Sequence, residues 1–273
     1  MSHSYWHRGL FTETKETEKA ADIVRASYYL NEKHDISLYL PDEDLPMPLC
    51  TGLRCIHTRD MKHGGRLYTG TYYGVQALPS EWRQHIRIDN EPVVELDYAS
   101  LHINMLYARI GKPPQEDHYS VVLDNFPQFL PDEKPVIRTF LKILLQSILN
   151  AKSPSKAVSS GNYDMNVLNR SERTPVRKIL KKHGIKVKDL IEAFEQVHSG
   201  IAQFFYSEVG LELQYGDSRM ALKVLNHFNR KGIVVLPVHD SFLIQAKYKD
   251  DLKAVMEKAY CSEMKTDKPC PIK

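Results

Sequence analysis

Two carboxylates far apart in the chain, Asp97 and Asp240, each stand at the end of a strand-like apolar run. In Val93-Val94-Glu95-Leu96-Asp97-Tyr98-Ala99-Ser100-Leu101-His102 a β-branched run closes on Asp97. An amphipathic segment with Leu101, Met105 and Leu106 begins just beyond it, which predicts a strand followed by a helix. The stretch Ile233-Val234-Val235-Leu236-Pro237-Val238-His239-Asp240-Ser241-Phe242-Leu243-Ile244 presents Asp240 in the same setting. It reads as a hairpin whose tight turn, His239-Asp240, exposes both side chains. Carboxylates delivered by two distant strands are hard oxygen donors, the kind that hold Mg²⁺. The cations that could complement them lie between. Arg138 and Lys142 are spaced i, i+4 on a strongly apolar segment from Val136 to Asn150, opened by Pro135. That spacing puts both on one helix face. The face is either a solvated stripe on a core helix or a set of charges aimed at phosphates.

Two further stretches could touch a polyanion. From His63 to Pro79, four glycines alternate with aromatics and hydroxyls, and Arg66 and Gln76 are the donors. This is a loop that lets backbone approach something closely, as an exposed tyrosine-rich hairpin or as a nucleic-acid contact. Arg170, Arg173, Arg177, Lys178, Lys181, Lys182, Lys186 and Lys188 form a one-signed run broken only by Glu172. Such a run is a solvated face or a phosphate-backbone contact.

The elements that must position these residues fit a chain of 273 residues, long enough for a sizeable core. At 42% hydrophobic and 26% charged the composition is that of a globular protein. No apolar run is long enough to span a membrane, and the first residues lack the apolar core of a signal peptide, so no membrane partner is expected. Cys50, Cys55, Cys261 and Cys270 are too few for a disulfide framework, and the expectation is a reduced, cytoplasmic setting. Cys50, Cys55 and His57 fall off the usual zinc-ligand spacing. A formal net charge of +3 permits nucleic-acid binding without arguing for it. Along the chain, residues 1–16 read as loose. A helix is expected from Thr17 to Glu32 with Thr17 as its cap, then strand and loop over 33–62. A helix ends near Gly111, and 115–133 and 152–174 read as loop-rich. Helices are expected over Val187–Val209 and over Arg219–Asn229, the latter capped by Asp217 or Ser218 and stopped by Gly232. A last helix covers roughly 250–261, before a polar tail.

Taken in order, these stretches resemble the palm-and-fingers core of family A DNA polymerases, in a minimal form, and also the related phage-type single-subunit RNA polymerases. Gly65-Arg66-Leu67 followed by Val75-Gln76-Ala77-Leu78-Pro79 is similar to the family's Gly-Arg-Leu…Leu-Gln-Asn-Ile-Pro loop. Leu96-Asp97-Tyr98-Ala99-Ser100 resembles motif A. Arg138-x-x-x-Lys142, with Asn150 eight residues on, resembles motif B. Val238-His239-Asp240-Ser241 resembles motif C, and Gln214 sits where the family often has a glutamine ahead of it. Each motif alone is weak; four in order, over residues 63–246, are strong together.

The resemblance implies template-directed nucleotidyl transfer by two Mg²⁺ ions, or Mn²⁺, on a primer–template with dNTP or NTP. Asp97 and Asp240 would bridge the metals, with the carbonyl of Tyr98 as an added ligand. Lys142 and Arg138 would neutralise the triphosphate, His239 would contact the primer terminus, and Arg66 and Gln76 would follow the minor groove, with Gln214, His102 and Asn150 among the substrate-binding residues. The implied fold is α/β in the α+β sense. It has an antiparallel palm sheet from segments near 66–76, 91–97, 233–238 and 241–246, backed by helices near 101–110 and 218–230, with helical fingers and a reduced thumb. The implied division is 1–62 as an N-terminal helical and thumb region, 63–114 as the first part of the palm, 115–205 as fingers, and 206–273 as the second part of the palm with a tail. A chain of this kind is expected in a mobile element or phage, to work with low processivity and no proofreading, and to meet other replication proteins.

Three positions depart from the pattern. His102 stands where family A DNA polymerases place a glutamate that excludes the ribose 2′-hydroxyl. Asn150 replaces the tyrosine that packs on that glutamate, and Ser241 follows Asp240 as in the single-subunit RNA polymerases. A primase or RNA polymerase using NTPs is therefore an alternative, as is a catalytically inactive polymerase-like nucleic-acid-binding protein.

Overall fold

The structure, a computed structural model, describes residues 14–41, 43, 45–58, 60–70, 74–170 and 175–273. Thr71–Tyr73 of the glycine-rich stretch and Arg173 of the basic run lie outside the described residues, as does the side chain of Arg170. In chain order the elements begin with α1 (Lys15–Asn31), β1 (Ile36–Leu38), β2 (Met47–Pro48), β3 (Leu53–His57) and β4 (Gly64–Thr69). There follow α2 (Ser80–Arg83), β5 (Ile86–Ile88), β6 (Glu91–Asp97), α3 (Leu101–Arg109), α4 (Ser120–Leu123), α5 (Lys134–Asn150) and α6 (Pro154–Arg170). The chain closes with α7 (Val176–Lys182), α8 (Val187–Val197), α9 (Gly210–Lys231), β7 (Val235–Val238), β8 (Ser241–Gln245) and α10 (Lys249–Met264). Two compact units result. One comprises Met1–Tyr98, Gln214–Glu263 and Ile272–Lys273; the other comprises Ala99–Leu213 and Met264–Pro271. The architecture is mixed helix and antiparallel sheet.

The first unit carries a six-stranded sheet in the order β2-β1-β5-β6-β8-β7, with every pairing antiparallel. β8 is buried along its whole length between β6 and β7, so its sequence Ser-Phe-Leu-Ile-Gln does not alternate. β7 is the edge strand, and this is why Pro237 is tolerated: its missing N–H faces no further strand. The apolar core gathers Ile36, Leu38, Ile86 and Ile88 with Val234, Leu236, Val238 and Leu243. Sequence reasoning anticipated β6, β7 and β8. It placed 66–76 in the same sheet, and here the structure differs. Among the described residues β4 pairs with β3 alone, in a separate two-stranded ribbon, and Val75–Ala77 is a 3₁₀ turn. The ribbon's register shifts at Ile56/His57, where Gly64 and Gly65 both take positive φ, a conformation open to glycine.

The cap of α1 lies three residues before the expected one. Thr14 is the N-cap, and its side chain and that of Thr17 bond reciprocally to backbone N–H groups. The C-terminal residues are not a loose tail. Lys273 exchanges both backbone hydrogen bonds with Asp97, at 2.9 and 3.0 Å, along the stretch of β6 that β5 leaves unpaired.

The second unit is helical. α5 buries Ile137, Phe140, Leu141, Leu144, Leu145, Ile148 and Leu149, as its periodicity requires. Residues 154–170, expected as loop, form α6. Its inner face is made of small and polar residues: Ala157 and Gly161 are buried, and Ser160 and Asp164 bond Ser147 of α5 at 3.0 and 2.7 Å. A Cβ on Gly161 would lie 2.5 Å from Leu144 Cδ1 and 2.8 Å from Val187 Cγ1. Close approach of helices, not apolar bulk, decides this element, so hydrophobic periodicity gave no sign of it. The expected single helix over 187–209 is also interrupted. α8 stops at Val197, a 3₁₀ turn covers Ser199–Phe204, and Tyr206 and Glu208 take positive φ. The turn lets the Tyr206 N–H donate to the carbonyl of Ile148 in the last turn of α5, at 2.9 Å, satisfying one of the acceptors a helix end leaves open.

Candidate active site

Strand register brings the two carboxylates of the sequence reading to one end of one sheet. Asp97 lies opposite Ser241 in the β6–β8 ladder. One step on, the Tyr98 N–H donates to the Asp240 carbonyl at 3.4 Å. Because Asp97 bonds its backbone to Lys273 instead of Ser241, the Asp97–Ser241 pair is of the close, non-hydrogen-bonded kind, with Cα atoms ~4.5 Å apart. Asp97 is exposed and Asp240 half-buried. His239 and Asp240 form the turn between β7 and β8, as expected from sequence, and His239 takes φ 59°.

Around this pair the charges are fixed one against another. Arg83 forks Glu95 with Nε and Nη2, at 2.8 and 2.9 Å, and the Ser241 hydroxyl donates to Glu95 Oε1 at 2.6 Å. Glu95 is two residues before Asp97 on the same strand face, and three donors occupy its carboxylate. Arg66 uses the same Nε and Nη2 edge on Asp217 Oδ2, at 2.8 and 2.7 Å. Burial works against the charge of Arg66, yet Asp217 and Asp240 together hold its pKa above the usual value. His239 is shifted down, first by burial and then by Arg66, against the pull of Asp240 and Asp217. Its Nδ1 is buried without a hydrogen-bond partner among the described residues, and its ring meets Tyr68 edge-on at 5.5 Å.

Asp217 is not the cap of a helix. α9 begins seven residues earlier, and Asp217 is 2% exposed in its interior. Gly65 explains how β4 reaches it: a Cβ there would sit 2.9 Å from Ser218 Oγ and 2.9 Å from His57 Cε1. Gln214, half-buried, precedes Asp217 by three residues on α9 and shares its side of the helix. Gln76 acts as a strut. Its amide nitrogen donates to the carbonyls of Leu67 and Pro237 at 2.9 and 3.0 Å, and its carbonyl accepts from the Thr69 N–H at 2.9 Å, so both amide protons are engaged within the fold. The Tyr98 side chain is buried, with its hydroxyl donating to the Met256 carbonyl at 2.5 Å, which leaves only its backbone to face a ligand.

In the second unit the α5 stripe Arg138, Lys142, Gln146, Asn150 follows the i, i+4 spacing. Arg138 donates to Asp117 at 3.0 Å and lies over the Tyr119 ring at 5.5 Å. Burial would raise the Asp117 pKa, but bonds from Arg138, Ser120 and two backbone N–H groups hold it well below the usual carboxylate range. Lys142 is exposed. His102 is buried, and Gln146 meets its Nδ1 at 3.3 Å. The Asn150 amide donates to the Gln146 carbonyl at 2.9 Å, and its side chain abuts Gly210, where a Cβ would lie within van der Waals overlap of Oδ1. Gln146, Glu95, Asp117 and Asp217 all carry contacts that motif reading passed over. The i, i+4 spacing from Lys142 pointed to Gln146, and strand alternation from Asp97 pointed to Glu95. Asp117 and Asp217 had no local signal.

Among the described residues no group of three or more His, Cys, Asp or Glu side chains could hold a metal ion. Cys55 is a half-buried thiol, pushed up to about 11 by burial, that donates to the Gly65 carbonyl at 3.0 Å. Asp97, at the end of β6, and Asp240, in the turn before β8, offer two hard oxygen donors at neighbouring strand ends. That set fits a divalent cation whose remaining positions are filled by water and substrate, the habit of Mg²⁺, and not an all-protein cage.

No protein-family model matches the chain, and no curated protein matches it. Among solved structures it is similar to the POL domain of Pol1 from M. smegmatis in complex with DNA primer-template and dNTP, with 10% identity and a TM-score of 0.40. The match covers 95% of this chain and 50% of that one, so the chain spans about half the length of that structure. No described helix is long and apolar enough to cross a membrane.

Proposed function

We propose that the protein is a metal-dependent, template-directed nucleotidyltransferase of the family A polymerase type, with DNA synthesis as its leading activity. In this reading the sheet-bearing unit is the palm and the helical unit the fingers. The observation that carries it is the register that sets Asp97 and Asp240, the acids of the two motif-like stretches, side by side at one sheet end. Two carboxylates held together repel one another, a cost that a bound cation removes. Divalent metal bound by Asp97 and Asp240, with the Tyr98 carbonyl, would supply activation of the attacking hydroxyl and stabilisation of the triphosphate.

The chain's own residues do the rest. Glu95, occupied by Arg83 and Ser241, keeps the strand end ordered and leaves coordination to the two aspartates. His239, at the turn beside Asp240, is placed to meet the primer terminus. Arg66 and Gln214 supply donors to the minor groove, where acceptors recur in every base pair. Lys142 is the mobile cation for the triphosphate. Arg138, pinned by Asp117, orders the stripe that carries it. His102 with Gln146 is the pair assigned to sugar choice, in place of the glutamate and tyrosine of DNA polymerases. The exposed side chains Lys178, Lys181 and Lys186 add sequence-independent attraction to phosphate.

The test is primer extension with Mg²⁺ or Mn²⁺, on primed and unprimed templates, with dNTPs or NTPs, beside an Asp97→Asn, Asp240→Asn double variant. Templated extension of the primer with dNTPs by the wild type alone is expected. Incorporation of NTPs without a primer would assign the site to RNA or primer synthesis. Absence of incorporation with either nucleotide set, together with salt-sensitive binding of the template, would reduce the protein to a nucleic-acid-binding fold.

A further inference from the structure

Two residues of the helical unit, one position apart on either side of His118, close around one guanidinium. Asp117 Oδ2 accepts from Arg138 Nε at 3.0 Å, and the Tyr119 ring lies against the same guanidinium at 5.5 Å. His118 itself is 1% exposed. Its ring stacks on Tyr107 of α3 at 5.0 Å, with 7° between the planes, and meets His198 edge-on at 5.5 Å. Its Nε2 donates to Asn104 Oδ1 at 2.7 Å, and its carbonyl accepts from His198 Nε2 at 3.1 Å. Asn104 also accepts from the Gln115 N–H and donates to the Gln115 carbonyl, both at 2.9 Å. The segment 115–119 is thus tied to α3 at two points and to the end of α8 at one. The remaining bonds of the Asp117 carboxylate come from Ser120 Oγ and from the N–H groups of Tyr119 and Ser120. A polar ring this deep is costly unless its groups are bonded. Bonded as it is, it fixes the backbone from which Asp117 and Tyr119 reach Arg138. The packing of α5 sets where the Arg138 backbone lies, but a side chain of that length keeps its rotamer freedom until something removes it.

We propose that His118 is a positioning residue for nucleotide binding: it anchors the cradle of Asp117 and Tyr119 that sets the Arg138 guanidinium for the phosphates of a nucleoside triphosphate. This rests on the reading of the α5 stripe as the triphosphate contact. Without the His118 ring, the bond to Asn104 and the stack on Tyr107 are gone, the segment is held less firmly, and Arg138 regains rotamers that do not meet phosphate. The two cations of the stripe then differ in kind. Arg138 is set in advance by its cradle, whereas Lys142 is exposed and finds the phosphates by its own motion. Loss of His118 therefore removes the share of binding that belongs to Arg138 and leaves the share that belongs to Lys142.

The experiment is calorimetric titration with dATP or ATP, in Mg²⁺, of the protein bound to a primed template whose primer ends in a dideoxynucleotide. Each variant is checked for folding by circular dichroism. His118→Leu, which keeps the bulk and loses the bond, should raise the nucleotide Kd about fivefold, a coupling within the range for residues of one network. His118→Gln, whose amide can still donate to Asn104, should stay within about twofold of wild type. Arg138→Gln should raise the Kd about tenfold, and adding His118→Leu to it should change nothing beyond about twofold. Adding His118→Leu to Lys142→Ala should instead multiply the two losses. That asymmetry is the signature of positioning, because a unit that was merely loosened would lose affinity in both backgrounds. Should His118→Leu fail to fold, Tyr107→Leu withdraws the stacked ring from a half-buried position and should give the same asymmetry. A folded His118→Leu or Tyr107→Leu protein with wild-type affinity, or a loss that persists in the Arg138→Gln background, would overturn the positioning role and leave the stripe reading standing. Arg138→Gln with wild-type affinity, or a wild type that binds neither nucleotide, would overturn the stripe reading and this inference with it.

Discussion

The two units fix their polar residues by different means. In the sheet unit, side chains are placed by strand register and then by ion pairs: Asp97 against Ser241, Glu95 in the fork of Arg83, Arg66 on Asp217. In the helical unit the stripe Arg138, Lys142, Gln146, Asn150 is placed by what lies beneath it, the apolar face of α5. Register is all-or-none, since a slip by one residue would turn Asp97 and Glu95 to the other face. Packing is graded, and the stripe keeps two exposed members, Lys142 and Asn150. The contrast predicts that changes in the helical unit act by increments, and that the sheet unit's carboxylates act as a switch.

The largest increment should come from the buried polar cluster of the helical unit. His118 Nε2 meets Asn104 Oδ1 at 2.7 Å, His198 Nε2 meets the His118 carbonyl at 3.1 Å, and Tyr107 Oη meets His198 Nδ1 at 2.9 Å. A neutral His198 with its proton on Nε2 satisfies both of its contacts. Burial and the neighbouring His198 push His118 down to about 4, from its usual 6.5. The folded state therefore resists protonation. Stability should be full above pH 6.5 and fall as pH drops toward 4, by on the order of 3 kcal/mol. Urea unfolding at pH 7 and pH 4.5 measures it. A His118→Gln variant should show a shallower dependence, and an equal slope would remove His118 from the account.

Next in size is Gly161→Val. It forces atoms between Leu144 and Val187 and should cost about 2 kcal/mol in urea unfolding, as overpacking does; an unchanged midpoint would mean the helices part freely. Lys142→Ala should leave stability within about 0.5 kcal/mol while slowing nucleotide incorporation by roughly tenfold or more, through loss of charge stabilisation. If stability falls instead, Lys142 is a packing residue. Smallest is the pair Lys178→Glu, Lys181→Glu on the outer face of α7. It should reduce the salt-dependence slope of template binding by about 2, one for each phosphate contact, and an unchanged slope would make this face merely solvated.

Much of the sheet unit was legible because β-branched runs and a tight turn mark β6, β7 and β8 locally. α5 was legible through its apolar period. What stayed hidden depends on partners distant in sequence. That β4 pairs with β3 and not within the six-stranded sheet is a matter of tertiary pairing. The bonds from Lys273 to Asp97 turn an apparent tail into an extra strand edge. Asp217 reads as a cap in the sequence because Asp is common there, and only the approach of Arg66 reveals otherwise. α6 was missed because its contacts with α5 run through buried Ala157 and Gly161 and through the hydrogen bonds of Ser160 and Asp164 to Ser147, which no hydrophobic pattern registers. Of the candidate site, the identities of Asp97 and Asp240 could be read directly. That Gln76 is a strut, and that Gln146 meets His102, could not.

Asp97 and Asp240 are proposed to act together at one sheet end. The most direct test is the single-turnover rate of nucleotide incorporation on a primed template at saturating Mg²⁺, for wild type and for Asp240→Asn, with the variant's circular dichroism unchanged. A loss of at least ~10³-fold is expected, the size that follows when several kcal/mol of metal-borne stabilisation are removed. An Asp240→Asn variant that keeps its rate within about threefold of wild type would contradict it.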